Sequence, residues 1–413
     1  MCYFVGMQIL NLTISNHKSI KDEAPLDLTH ATLHTLNPPR GTQWDDHLHH
    51  VAGIYGPNGS GKTNLLEALR HVQSAIATLL PLGANALPYM PYDVSKPTVY
   101  SVEFIHDGAR YEYALSRNAE GIAGESLRVA RKRWNTIYSR DKHGAVKGLK
   151  GLPHVNVNEL VITRASLMGD PQVKPVRDAL TTGVKVFRVG DPSMEDAYLH
   201  IARHLLSRRL DTTALSTLAQ VADLGTTSIE LCAPQRPALS ARHAPADRED
   251  AEVALAKALP HILEFQYGER TVPHAAFSAS SGSIMWLALA IAAVDALTGG
   301  QVLVVDDLTA SLHPDLGRVI IDWFTSPTAN QSGAQLIFTS HNIALMDIGR
   351  GPIRNRERIW FTEKNSAQAT TLYQLSEFTS LQSGSNITKK YIEGRFGAAP
   401  YTCPSLIHRL LAD

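Results

Sequence analysis

The sequence predicts an α/β fold, and three stretches predict it. Gly56-Pro57-Asn58-Gly59-Ser60-Gly61-Lys62-Thr63 is an ungapped G-x-x-x-x-G-K-[ST] run, entered from an apolar stretch at 51–55 and left through a helical pattern from Asn64 to about Leu80. That strand–loop–helix setting is what a phosphate loop needs. Gln301-Val302-Leu303-Val304-Val305-Asp306-Asp307 is a second apolar run, closed by two carboxylates. Leu336-Ile337-Phe338-Thr339-Ser340-His341-Asn342 is a third, closed by a histidine. Short continuous apolar runs of this kind suit strands buried on both faces of a parallel sheet.

Each run carries chemistry at its end. Glycine lets the loop backbone curl until its N–H groups converge on phosphate oxygens at the positive end of the following helix. Gly56, Asn58, Gly59, Ser60, Gly61 and Asn64 make up the expected cradle. The motif puts Lys62 on the β- and γ-phosphates and the Thr63 hydroxyl on Mg²⁺, so ATP with Mg²⁺ is the expected cofactor pair. The bland alternative, a glycine turn that merely opens a helix, does not call for the Lys-Thr pair. Carboxylates at the carboxyl end of a buried parallel strand face the ligand crevice. Asp306 therefore fits a Mg²⁺ ligand, and Asp307 is placed to orient or deprotonate an attacking water.

The chain has 413 residues, enough for two or three domain-sized units and a sizeable core. Lys+Arg and Asp+Glu are both 39, so global charge argues neither for nor against nucleic acid and any basic patch must be local. Three cysteines (Cys2, Cys232, Cys403) lie far apart, which suits a reducing compartment and gives no zinc or disulfide framework. Residues 1–6 lack a basic n-region and a cleavage site. The longest apolar run, 284–294, is too short to span a bilayer. The expectation is a cytoplasmic protein without a membrane partner.

From the start, residues 7–14 read as a strand, and Asn16-His17-Lys18-Ser19-Ile20 as a turn into a second short one. Residues 38–50 are loop-like and hold Asp45, Asp46, His47, His49 and His50, metal-ligating types that read more simply as a solvated loop. Residues 80–97 are rich in proline and glycine. A strand at 98–106, the hairpin signal Asp107-Gly108 and a returning strand at 110–117 follow. Segments 124–131 and 133–139 continue this β-rich lobe. Residues 128–150 carry eight Lys/Arg (Arg128, Arg131, Lys132, Arg133, Arg140, Lys142, Lys147, Lys150) against Asp141, with Trp134 and Tyr138 interleaved. Two readings stay open: a track for a nucleic-acid backbone, or the solvated face of a hairpin.

Residues 155–275 look mostly helical, most clearly at 195–223, where Leu199, Leu205, Leu206, Leu210, Leu215, Leu218 and Val221 recur. His200 and His204 stand four apart, but no glutamate follows His200, so a structural role outweighs a metal pair. Residues 234–250 read as a loop and 252–263 as a helix. This insertion holds no catalytic motif, and its expected role is contact with a partner or ligand. Ser278-Ala279-Ser280-Ser281-Gly282-Ser283 then opens an apolar helix at 284–297, and Ser311-Leu312-His313-Pro314 follows the Asp-Asp strand. The expected division is 1–140, an N-terminal ATPase lobe; 141–270, the helical insertion; 271–380, a C-terminal ATPase lobe; and 381–413, a tail.

Taken in order, these pieces resemble the ABC-type ATPase heads of the SMC, RecF and OLD group. They look still more like AAA-type ATPases of bacterial defence islands, of the RloA and abortive-infection AbiL kind. Asn16-His17-Lys18-Ser19-Ile20 resembles their N-F-x-S-I/F start, and Ser280-Ser281-Gly282-Ser283 their S-x-G-T signature. Arg358-Ile359-Trp360-Phe361-Thr362-Glu363-Lys364 and Tyr391-Ile392-Glu393-Gly394-Arg395-Phe396-Gly397-Ala398-Ala399-Pro400 also look like theirs. The likeness covers both ends of the chain well and the middle poorly. It implies a P-loop NTPase of ABC-ATPase head type with a β-rich N-terminal lobe. It also implies a homodimer or higher homo-oligomer with ATP between protomers, the phosphate loop of one facing Ser280 and Gly282 of the other. Ser311 to His313 is then the D-loop, and His341 the switch histidine at the γ-phosphate. The sequence departs from the pattern twice: 80–97 offers only Tyr92 and Asp93 where a Q-loop glutamine is expected, and Asp307 stands where glutamate is usual.

The function this implies is a slow ATPase subunit of a bacterial anti-phage defence system, which uses ATP-gated dimerisation to sense a trigger and hold or release an effector. The chain shows no nuclease centre, HEPN-like motif or Toprim signature, so the effector, a nuclease or toxin, is expected to be a separate protein. The alternative is a DNA repair or maintenance ATPase of RecF or SMC type, against which stands the lack of a long heptad arm. A third reading is a nucleotide-dependent scaffold with little turnover.

Overall fold

The computed structural model describes residues 6–78, 87–188, 194–207, 210–231, 248–267, 270–272, 280–310, 312–347, 356–379, 381, 386–399 and 407. All three cysteines, most of the loop expected at 234–250, and Ser311 lie outside the described residues. The chain forms two compact units, Met1–Val184 with Ile337–Asp413, and Lys185–Leu336. The units cut across the four segments expected from sequence: 141–184 groups with the N-terminal lobe, and 337–413 with it too.

In the first unit an antiparallel sheet runs in the order Ala24–Asp27, Met7–Ser15, Thr98–His106, Ala109–Asn118, Gly121–Ala130, Trp134–Arg140, Val146–Lys147. This is the expected β-rich lobe. Met7–Ser15 alternates buried and half-buried side chains except at Ile9-Leu10, where two buried residues run together. The pairing with Thr98–His106 shifts register there, so a bulge re-aims one side chain. Asp107 and Gly108 both take positive φ (50° and 69°), as a two-residue hairpin turn of the expected type requires. Behind the phosphate loop, the fully buried strand Val51–Tyr55 pairs in parallel with Ile359–Lys364, which pairs antiparallel with Thr370–Gln374. The helix Lys62–Ala77 leaves the loop and packs on the helices Val161–Leu167 and Lys174–Thr182. Residues 38–50 are not simply solvated: His49 is buried, with Nε2 2.8 Å from Glu357 Oε2.

Unit two is built on the helix Ser281–Gly299. Its apolar residues from Ile284 to Ala296 are buried on almost every side, and Trp286 Nε1 donates to the Leu218 carbonyl at 2.8 Å. The helix packs on Met194–Leu206, Thr212–Val221, Pro314–Thr325 and Val302–Asp306. By length and composition alone the helix, longer than the apolar run at 284–294, is apolar enough to cross a membrane. Burial all round marks the helix as a core element of this unit. The insertion is less purely helical than expected. It contains a three-stranded sheet, Ser228–Leu231, Leu263–Tyr267 and Arg270–Val272, and the helix Arg248–Ile262 runs directly into the middle strand.

Candidate nucleotide-binding site

Torsion and packing both demand glycine in the loop. Gly59 and Gly61 take φ of 74° and 107°, left-handed values that L side chains rarely adopt. A Cβ on Gly56 would meet the Thr362 carbonyl, and one on Gly61 the Thr370 side chain, while Gly59 faces open space. The loop tip, Asn58 and Gly59, is exposed, and Ser60 and Lys62 are buried. Lys62 Nζ donates to the carbonyls of Gly56 (2.8 Å) and Pro57 (3.0 Å), tying its ammonium to the entrance of the loop. Gly61 caps the helix Lys62–Ala77 without a side chain of its own, so the first-turn N–H groups and the positive helix end stay accessible to an anion. Thr63 and Asn64 follow, half-buried, in that turn.

Three further residues support the loop, and none was assigned a role from sequence. Ser60 Oγ lies 2.6 Å from Thr362 Oγ1. Thr370 Oγ1 donates to the Ser60 carbonyl at 2.7 Å. Ser19 Oγ accepts from Asn64 Nδ2 at 2.7 Å. Ser19 and Thr362 sit in two motifs that carried the resemblance, which was the available signal; Thr370 had none. The Ser340–Asn342 turn belongs to the same unit. Ser340 N donates to the Ile54 carbonyl at 3.1 Å, beside the strand that feeds the loop, and His341 is exposed.

The other expected residues belong to unit two. Asp306 ends the strand Val302–Asp306 and is half-buried. Asp307 turns the chain with φ 56°, a left-handed value in a non-glycine residue, and its carbonyl accepts from Ala310 N at 3.0 Å. Ser280 caps the helix Ser281–Gly299, its Oγ accepting from Ser283 N at 3.1 Å. Ser280 is exposed and Gly282 half-buried at that positive helix end. His313 caps Pro314–Thr325 in the same manner.

Residues 51–347 match the family described as "AAA domain, putative AbiEii toxin, Type IV TA system". The chain belongs to this AAA family. The matched span is well over half the sequence, and it makes the chain an α/β P-loop ATPase. It opens at the strand into the phosphate loop and closes just beyond His341, so the Asn16–Ile20 turn and the hairpin of Ile359–Lys364 with Thr370–Gln374 lie outside it. No curated protein matches. Among solved structures, cbiO1 from Clostridium perfringens, part of the ABC transporter complex cbiONQ, is similar at 11% identity and a TM-score of 0.30, covering 98% of this chain and 100% of that one. That likeness is too low to bear on fold or function.

Asn16, buried at φ 51°, holds the 93–97 segment: its Oδ1 accepts from Asp93 N (2.7 Å) and its Nδ2 donates to the carbonyls of Asp93 (2.8 Å) and Lys96 (2.7 Å). Tyr92 OH donates to the Ala367 carbonyl at 2.7 Å. Ser95 holds the Asp93 carboxyl below its usual range through two hydrogen bonds.

The basic stretch divides. Arg128 pairs with Glu112 and lies over Trp134, and Arg140 is buried against the carbonyls of Glu159 and Asn156. Arg131, Lys132 and Arg133 are exposed at one end of Trp134–Arg140, and Lys142 and Lys147 near the other, Lys147 pairing opposite Ser139; Lys150 is exposed as well. A seven-residue strand separates the groups, about 20 Å. His200 and His204 are structural: His204 Nε2 lies 2.7 Å from Asp295, and burial pushes the His200 imidazole down to about 3, so it stays neutral. Among the described residues no group of three or more His, Cys, Asp or Glu side chains comes together as a metal site would need.

Proposed function

We propose that this AAA-family chain binds ATP with Mg²⁺ at Gly56–Thr63 and hydrolyses it slowly, as the ATPase of a bacterial defence system of the RloA and AbiL kind. The observation that carries this is the phosphate loop itself. Its glycine torsions, the buried Lys62 held at its entrance and the helix start behind it, which no side chain caps, fit a polyphosphate. Lys62 exchanges the Gly56 and Pro57 carbonyls for the β- and γ-phosphates when nucleotide enters. Thr63 and Asp306 would hold Mg²⁺, an oxygen-donor pair suited to that ion, which would supply charge neutralisation of the phosphates. Asp307 orients or deprotonates the water, and His341 contacts the γ-phosphate. The exposed Ser280 and the half-buried Gly282, with Ser311 to His313, act across a homodimer, and the dimer holds or releases a separate nuclease or toxin in the cytoplasm. The description of the family, with its toxin and its toxin–antitoxin system, supports a defence role.

A second reading, a DNA-maintenance ATPase, keeps one favourable observation: Arg131, Lys132 and Arg133 stand exposed at a hairpin tip. One experiment separates the two. ATP turnover is measured with and without DNA, and the native protein is purified with its gene neighbour's product in ATP. The defence reading expects slow, DNA-independent turnover and ATP-dependent co-purification. Strong stimulation by DNA, lost when Arg131, Lys132 and Arg133 become Glu, favours the second.

A further inference from the structure

The phosphate loop has a back as well as a face. Ser60 is 2% exposed, and a carbonyl buried at such a position needs a donor. Thr370 Oγ1 supplies it at 2.7 Å. Thr370 Oγ1 lies 2.7 Å from Ser19 Oγ, which accepts from Asn64 Nδ2 at 2.7 Å. The two ends fix the direction of this chain. An amide nitrogen only donates and a carbonyl oxygen only accepts, so Asn64 donates to Ser19, Ser19 to Thr370, and Thr370 to Ser60. A backbone bond from Thr370 N to the Ser19 carbonyl, 2.7 Å, locks the two segments together.

The chain ends on one particular peptide. The Ser60 carbonyl and the Gly61 N–H share a peptide unit, and Gly61 is the residue that starts the loop's helix. A hydrogen bond accepted at the carbonyl polarises the unit and makes its N–H a stronger donor. Thr370 also fills the space that a side chain on Gly61 would take, so it supports the φ of 107° from behind. We propose that Thr370, backed by Ser19, is a positioning residue for the nucleotide phosphates: its hydroxyl holds and polarises the Ser60–Gly61 peptide so that the Gly61 N–H meets the phosphate. Both residues lie outside the span matched by the family, so the device comes from the segments flanking the AAA domain. The proposal rests on the assignment of the loop to ATP made above.

The test is the equilibrium dissociation constant for ATP with Mg²⁺ in the full chain, with folding checked by thermal melting. Thr370→Val should weaken binding about tenfold, the order expected for one buried hydrogen bond. Thr370→Ser should restore it to within about twofold, since the hydroxyl returns. Ser19→Ala should weaken it about threefold and add almost nothing in the Thr370→Val background, because both belong to one chain. If Thr370→Val does not fold, Thr370→Ala and Ser19→Ala decide. A lowered melting temperature with wild-type affinity in the folded variants makes Thr370 a structural residue only and overturns the proposal. Lys62→Ala separates the two levels. Binding lost there but intact in Thr370→Val sinks this proposal alone; a wild type that binds no ATP sinks the loop assignment and this inference with it.

Discussion

Asp307 sets the rate in this account, and its backbone as well as its side chain bears on how. At φ 56° it takes a left-handed conformation that Asp and Asn tolerate and most residues do not. Its carboxylate is one methylene shorter than the glutamate usual in the resembling families. Falling ~1 Å short of the water costs on the order of 100-fold in rate. Asp307→Asn should keep the turn, the stability and ATP binding, while turnover falls by about 10²–10⁴, the range for loss of a general base. Asp307→Glu extends the reach but forces a poorer residue into the left-handed region, at about 1 kcal/mol. It should melt at lower temperature whatever its rate. Steady-state turnover alongside melting curves checks both. An Asn variant that hydrolyses ATP like the wild type means that Asp307 is not the base.

At the scale of elements, the legible parts were those whose signal is local in sequence. The phosphate loop, the apolar strand Val302–Asp306 and the Asp107-Gly108 hairpin each announce themselves within a few residues. The supports were not legible, because their partners are distant: Thr362 and Thr370 reach the loop from 302 and 310 residues away. The short strands of the second unit, such as the four-residue Ser228–Leu231, are too brief to show alternation against helical neighbours. Glu125 is a further example. Inside the strand Gly121–Ala130 it reads as surface, yet it is buried and accepts from Val161 N (2.7 Å), Ile162 N (2.9 Å) and Tyr138 OH (2.8 Å). It caps the helix Val161–Leu167 from a neighbouring strand. Burial raises its carboxyl above the usual range against the pull of those bonds. Glu125→Ala should strand buried donors and destabilise the fold by roughly 3 kcal/mol or more, and Glu125→Gln by less. Urea unfolding measures the difference; an Ala variant as stable as the wild type contradicts the capping role.

For the whole molecule the account requires two protomers. The phosphate loop lies in one compact unit and Ser280 in the other, and the proposed composite site joins the loop of one chain to the exposed helix start of its partner. A Ser280→Arg protomer and a Lys62→Ala protomer, each inactive alone, should therefore recover part of the ATPase activity when mixed, because each lesion falls on a different face of the shared site. No recovery in demonstrated heterodimers counts against action in trans. All of this depends on the loop holding ATP. The most direct measurement is the titration of ATP with Mg²⁺ into the wild type and into Lys62→Ala under identical conditions. The account predicts saturable binding by the wild type and loss of at least about a hundredfold in affinity for the variant, with both proteins equally folded, as expected when a buried charge-assisted contact to phosphate is removed. Equal affinity in the two, or no binding in either, contradicts it.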